Sequence, residues 1–470
     1  MKMKGRQGQI AVELLFLSAV VVILIAGFVS LAGSLLQVSV RNQNKLQAFS
    51  IAEAGIEYYE WHLAYAPKDF TDGTGNPGPY VHDYYDKDGN KIGTFTLTIS
   101  APPAGSTIVT ITSTGSVFAD SSVVKTIKIQ LGIPSFAKYA WVLNSDVNFG
   151  TTAVVNGIID SNDGIHFDGI AHNLVESALT TYVDPYTGKT EWAVYTDNAP
   201  ADPQPPTALP SHPSVFTAGR AVGVPALDFA GITQDLATIE STAQATGYYA
   251  TSSGAYGYDL DLTSTTFTVY KVTKLVAAPR NCRDQAGESG WGTWSIQTET
   301  PYATGTIPQN GDMFFADNLW VRGQVDGVRV TIASGKFPEN PSTETSITVN
   351  NSLSYTNFNS SDAIALIAQN NINVGLESDN NLTIDAALIA QNGWIGRYDY
   401  ISWCGSTASR NQLTTLGTLA SNQQSGFYYG GTDGYQNRTY NYDANLLYSP
   451  PPSFPLTTDE YSLISWEEVQ

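Results

Sequence analysis

One carboxylate stands where chemistry is least expected. Glu13 is the single charge in an apolar run from Ile10 to Leu36, and an unpaired carboxylate at membrane depth costs a few kcal/mol on insertion scales. A group so placed needs a partner of opposite charge. Other candidates are more diffuse. Five histidines, His62, His82, His166, His172 and His212, lack zinc-ligand spacing, although His166 and His172 flank Asp168. Asp160, Asp163 and Asp168, or Asp312, Asp317 and Asp326, would suit a polysaccharide lyase or hydrolase if the fold aligned them on one outer face. Aspartates among glycines and asparagines are, however, ordinary turn formers. Asp86, Asp88 and Asn90 alternate around Gly89 like the oxygen ligands of a calcium loop, but the twelfth position counted from Asp86 is Leu97 where an EF-hand has glutamate. Asp-Gly before a strand is also a hairpin signal. No G-x-S-x-G elbow, P-loop or dinucleotide fingerprint accompanies a suitable strand and helix, and no cofactor is called for. Cys282 and Cys404 allow one disulfide in an exported chain, or two unpaired thiols. Closing that 122-residue separation would contribute roughly 4–5 kcal/mol by loop-closure entropy. Trp291, Trp294, Trp320, Trp394, Trp403 and the Tyr428–Tyr429 pair crowd the distal half. Exposed, they would stack on sugars or a partner protein; buried, they are core.

The element that positions Glu13 is a helix. Leu14 to Leu36 is a stretch of twenty-three residues without charge, rising about 35 Å as a helix against a hydrocarbon core of roughly 30 Å. Lys2, Lys4 and Arg6 precede it and would stay cytoplasmic. The run is too long for a secretory signal, which has a shorter apolar region, and no clear loop follows it. Instead the pattern turns amphipathic through Leu46, Phe49, Ile51, Ala54 and Tyr58, with no proline before Pro67. One continuous helix from about Gln9 to Ala66 is predicted.

Gly8, Gln9 and Glu13, with the basic leader and the apolar run, resemble the class III signal of type IV pilins. The resemblance implies cutting by a prepilin peptidase between Gly8 and Gln9, which makes Glu13 the fifth mature residue. In a filament it would face the α-amino group of a neighbouring subunit. Gln9 departs from the phenylalanine commonest at that position, which leaves N-methylation open. The segment FSIAEAGIEYYEW, residues 49–61, resembles the A-x-x-AEAG-x-E signature of PilX-like minor pilins. There small Ala52, Ala54 and Gly55 would allow close helix approach, and Glu53 and Glu57 share one face.

Composition agrees with export. The net charge is −20, and loss of residues 1–8 would leave 20 Lys+Arg against 43 Asp+Glu. Nucleic-acid binding needs a basic face, so no such partner is expected. After residues 1–8 (leader) and 9–66 (transmembrane and assembly helix), residues 67–134 hold three runs, GTFTLTIS, STIVTITSTG and SVVKTIKIQL, that alternate as strands of an antiparallel meander. Residues 135–196 and 261–430 carry short apolar runs punctuated by Asn, Asp and Gly. ALIAQN recurs at residues 365–370 and 387–392, and a period of about 20–25 residues indicates a solenoid. Residues 197–260 form a loop and helical insertion, with a helix over about 226–246, and residues 431–470 a Pro-rich tail. The fold expected is mainly β with one long N-terminal α-helix: a pilin-like helix plus antiparallel β-meander, then a right-handed parallel β-helix, with a β-sandwich as the alternative.

The resemblance implies a minor pilin, a non-enzymatic structural and interaction protein. It would partner other pilins through the helix, prepilin peptidase, the membrane before assembly, and a surface or glycan ligand outside the cell. The alternatives are a membrane-anchored β-helical polysaccharide-active enzyme and a minor pseudopilin of a type II secretion system.

Overall fold

The computed structural model describes residues 6–103, 105–229, 231–282, 292–457 and 460–469, without the side chains of residues 6–9 and 231–235. Residues 1–5 of the leader and Trp291 thus lie outside the described residues, as do the side chain of Gln9 and any that would bear on the cleavage. The chain divides into two compact units. One takes in the chain up to Pro102, Ile108–Gly132 and the end from Glu460; the other takes in Pro103–Thr107 and Ile133–Asp459.

The first unit is a long helix packed on an antiparallel sheet. Helix α1 (Arg6–Tyr65) is unbroken because no proline or turn cluster interrupts it. From Ile10 to Gln43 every residue is exposed; beyond that, Ala48, Ile51, Ala52, Ile56, Tyr59 and Leu63 form one buried stripe at helical spacing. The stripe lies on an antiparallel sheet of β1 (Tyr80–Tyr85), β2 (Lys91–Ser100), β3 (Val109–Val117) and β4 (Asp120–Gly132), paired in that order. Period-two alternation turns Phe95, Leu97, Ile111, Ile127 and Ile129 inward and leaves threonines and lysines outside. A fifth strand, Ser462–Val469, pairs with β4, and Lys128 reaches Glu467 across the pair at 2.9 Å. The C-terminal segment is therefore not a mere tail: its last residues complete the first sheet. SLISWEEV shows no alternation because the strand is an edge with almost every residue exposed.

The second unit is a parallel β-helix. Leu366 pairs with Leu388 and Ile367 with Ile389, so the two ALIAQN copies occupy adjacent rungs. Both faces of this ten-stranded sheet are covered. Ile332, Leu366, Leu388, Leu419 and Trp141 line the interior, while Ala333, Ile367, Ile389, Ala420 and Val142 face a second core outside it. That outer core is closed by helix α2 (Gly231–Thr246) through Leu236, Ile239 and Ala243.

The rung order is discontinuous in sequence. Strands Tyr248–Ala250, Asp312–Phe315, Arg329–Ser334, Ala363–Ala368, Ala387–Ala390 and Leu419–Ser421 stack in turn. The next rung is not later in the chain but earlier, Trp141–Leu143, followed by Ile159–Ser161, Val175–Ser177 and Arg220–Val222. The chain thus enters mid-solenoid, winds to one end, crosses by α2 and winds back from the other. An asparagine ladder spans the junction: Asn162 Nδ2 donates to Asn144 Oδ1 at 2.7 Å, and Asn144 Nδ2 to Asn422 Oδ1 at 2.8 Å. Residues 197–260 accordingly hold more than an insertion, since Arg220–Val222 and Tyr248–Ala250 are rungs at opposite ends. Gly434–Asn441, inside the expected tail, is a rung pairing with Ala153–Asn156.

Candidate functional site

Glu13 sits in the exposed part of α1, and no ion pair or hydrogen bond to it occurs among the described residues. One described helix, from Ile10, is long and apolar enough to cross a membrane. Further along, the small residues of the signature meet the sheet rather than another helix. A Cβ on Gly55 would collide with the Ser113 hydroxyl and lie 2.9 Å from Phe95 Cδ2, and one on Gly115 in β3 would run into the Ala48 carbonyl. Ala52 is fully buried in the same contact and Ala54 half-buried, whereas Glu53 and Glu57 are exposed together. The signature serves helix–sheet packing on one side and presents two carboxylates on the other.

The calcium-like triplet is a hairpin turn. Asp86 Oδ1 accepts from the backbone N–H groups of Asp88 and Asn90 at 2.9 and 2.8 Å, and its Oδ2 from Asn90 Nδ2 at 3.1 Å. These bonds hold the Asp86 carboxyl below its usual range. Among the described residues no group of three His, Cys, Asp or Glu is placed to hold a metal ion.

The aspartate triplets do not converge. Asp160 is buried beside Tyr139 and Glu176, and burial first, then Glu176, raises it to about 6. Asp168 binds His166 at 3.2 Å and Thr196 Oγ1 at 2.9 Å. Asp163 caps the next backbone N–H. Asp312 bonds Ser453 at 3.0 Å and Asp326 accepts from Asn357 at 2.9 Å, whereas Asp317 holds Ser253. Each is engaged with different neighbours rather than with the other members of its triplet. His172 is exposed, and His212 pairs with buried Asp202 at 3.1 Å.

Cys282 and Cys404 are bonded to each other. With Leu376, Tyr400 and Ala408 they form a small core beside Arg397, a fully buried guanidinium. Its Nη2 donates to the carbonyls of Leu376 and Thr407 at 3.2 and 2.7 Å and its Nη1 to Ser378 Oγ at 2.8 Å, between the rings of Tyr400 and Tyr435. Desolvation lowers its pKa to about 10.

Two further clusters were not legible as sites in the sequence, because each joins residues remote in the chain. Arg322 meets Asp259, Asp261 and Glu299 at 2.8, 3.3 and 3.5 Å, beside a cavity of about 290 Å3 that Trp320 and Asn350 also line. Burial pushes Asp259 up to about 8, the nearby carboxylates add to this, and Arg322 opposes it. The second cluster surrounds a groove at Tyr186 and Tyr428. Of the distal tryptophans, Trp320 is buried and Trp403 is 66% exposed.

No family model matches the chain, and no curated protein matches it. Among solved structures, it is similar to the competence-associated pilin ComZ from Thermus thermophilus, with 12% identity and a TM-score of 0.32 over 91% of this chain and 97% of that one. It is also similar to an ice-binding protein from the Antarctic ascomycete Antarctomyces psychrotrophicus, with 9% identity and a TM-score of 0.27 over 65% of this chain and 95% of that one. Likenesses this distant assign no function.

Proposed function

We propose that the chain is a minor pilin, processed between Gly8 and Gln9, which inserts α1 into a type IV pilus-like filament and displays its β-helix outside the cell. The observation that carries this reading is an apolar helix that the chain's own fold leaves uncovered from Ile10 to Gln43, bearing at Glu13 a carboxylate with no partner among the described residues. Exposed apolar surface on this scale calls for lipid or other subunits. The carboxylate selects the second, because a neighbour's new α-amino group would neutralise it in an apolar bundle. The head then contacts an external surface or glycan; neither cofactor nor catalysis is part of the reading.

The test is N-terminal mass analysis of the chain made with and without a prepilin peptidase. The expected mature chain begins at Gln9 only when the peptidase is present; a chain that keeps Met1, or is cut beyond the apolar run, overturns the reading. Glu13→Ala should insert into membrane normally and enter filaments at least about tenfold less, since an unpaired buried charge costs well over the 1.4 kcal/mol of one decade.

A further inference from the structure

The second unit carries an open groove of about 510 Å3, within the roughly 300–1,000 Å3 usual for small-molecule sites. Tyr186 borders it with 65% of its surface exposed, yet the side chain is not loose. Gln424 Nε2 donates to the Tyr186 hydroxyl at 2.8 Å and to Asp146 Oδ2 at 2.8 Å. The phenol is anchored inward while the ring faces out, an arrangement that contributes little to the core and holds an apolar plate at the rim. Tyr428 also lines the groove, its ring backed by the Arg438 guanidinium 4.5 Å away.

The floor includes Gly150 and Gly426. Neither has a backbone conformation that demands glycine, and a Cβ on either would meet only ordinary contacts, the nearest at 3.8 and 3.6 Å. Folding does not require glycine there; what its absence of a side chain preserves is the space of the groove. The polar lining is Asn148, Gln424 and Asp399 among others, with no lysine or arginine among the described lining residues. The Arg438 guanidinium behind Tyr428 and Gly150 is buried and bonded to the Tyr435 and Gln436 carbonyls and to Thr152 Oγ1, so phosphate, sulfate or nucleic acid would find no exposed cation among the described lining residues.

We propose that this groove binds a neutral saccharide, whose C–H face lies on the Tyr186 ring and whose hydroxyls meet the Asn148 amide and the Asp399 carboxylate. Amphipathic pyranose rings match this lining, with a flat apolar plate beside convergent hydrogen-bonding groups. The inference deepens the display reading, and rests on it for where the ligand is met but not for the binding itself.

The full chain, kept in a zwitterionic rather than sugar-headed detergent, is titrated calorimetrically with maltotriose, cellotriose and triacetylchitotriose. At least one should bind with a millimolar or tighter Kd. Tyr186→Ala should weaken it by about tenfold or more, whereas Tyr186→Phe, which keeps the ring, should stay within about threefold. Gly426→Val should weaken binding comparably at an unchanged melting temperature; Gly150→Ala is the milder counterpart should valine disturb the loop. No binding by any of the three saccharides, or binding indifferent to both Tyr186→Ala and the glycine variants, overturns the inference. A chain that binds saccharide yet never enters filaments overturns the display reading alone, and the converse overturns this one alone.

Discussion

Gly115 and Gly426 illustrate two opposite uses of a missing side chain. In β3, Gly115 lets α1 approach so closely that a methyl group would strike the Ala48 carbonyl and lie 2.5 Å from the Ala52 nitrogen. Backbone cannot swing aside as a side chain can, so Gly115→Ala should destabilise the first unit by about 1–3 kcal/mol, the range for overpacking, read as a lower urea midpoint of that unit. Gly426→Ala in the open groove should leave the midpoint of the second unit unchanged. An equal effect of the two variants would refute the distinction. The AEAG signature at residues 52–55 was legible as a motif of small residues, but not what those residues pack against. Helical spacing reveals the stripe to which Ala52 and Gly55 belong, whereas the residues that receive them, Gly115 for Ala52 and Ser113 for Gly55, lie far along the chain in an alternating strand of ordinary appearance. The groove was less legible still: the chain offered Tyr428 as an aromatic candidate and gave no hint of Tyr186, which reaches it from the turn of a separate antiparallel hairpin, Thr181–Val183 with Thr190–Trp192.

Elements were readable in proportion to their length and regularity. The long helix and the antiparallel runs announce themselves by period, and the repeated ALIAQN places two rungs side by side because both copies turn Leu inward and Ile outward. Rungs of three residues, such as Trp141–Leu143 and Ile159–Ser161, are too short to show any period. The helix in residues 226–246 was foreseeable, but its task was not. Leu236, Ile239 and Ala243 roof the outer apolar face of the ten-stranded sheet, which is why strands such as Ala363–Ala368 are apolar on both sides. Leu236 is fully buried there with Phe314 and Ala333, so Leu236→Ala should cost about 2–4 kcal/mol through lost burial and the cavity left behind. Its measure is the denaturation midpoint of the second unit, with the first unit's transition unmoved. A loss below about 0.5 kcal/mol, the scale of a surface substitution, would mean that the helix lies on the solenoid without closing its core.

At the scale of the whole molecule, sequence order and spatial order part company. The last rung of one run lies against the first rung of the other, and the final strand returns to the sheet where the chain began. Local pattern cannot express either fact, because parallel pairing records only which faces match, not which rung comes next. Charge, by contrast, can be argued globally. Buried Asp160, Asp312 and Asp385 are each raised to about 6 and Asp259 to about 8, in every case first by burial. Their folded values exceed the unfolded value of about 3.9, so the folded state binds more protons across that interval and loses stability as pH rises from about 4 to about 8. His166 acts in the same direction. Burial would lower it, but the hydrogen bond and charge of Asp168, with Asp197, raise it overall, and stability present below the ordinary imidazole value disappears as pH climbs through the folded one. Carboxyls held low, such as Asp69 at about 2, lose their contribution only as pH falls from about 4 toward 2. The net charge of −20 adds self-repulsion above the pI of about 4.5. The second unit should therefore melt higher at about pH 5 than at about pH 8. Salt separates the two causes, since it screens surface repulsion far more than buried groups. The difference should shrink but persist at high salt, and Asp259→Asn, neutral at both pH values, should reduce what persists. A melting temperature that rises from pH 5 to pH 8 would show that these carboxyls are ionised in the folded protein and that water or a cation reaches them.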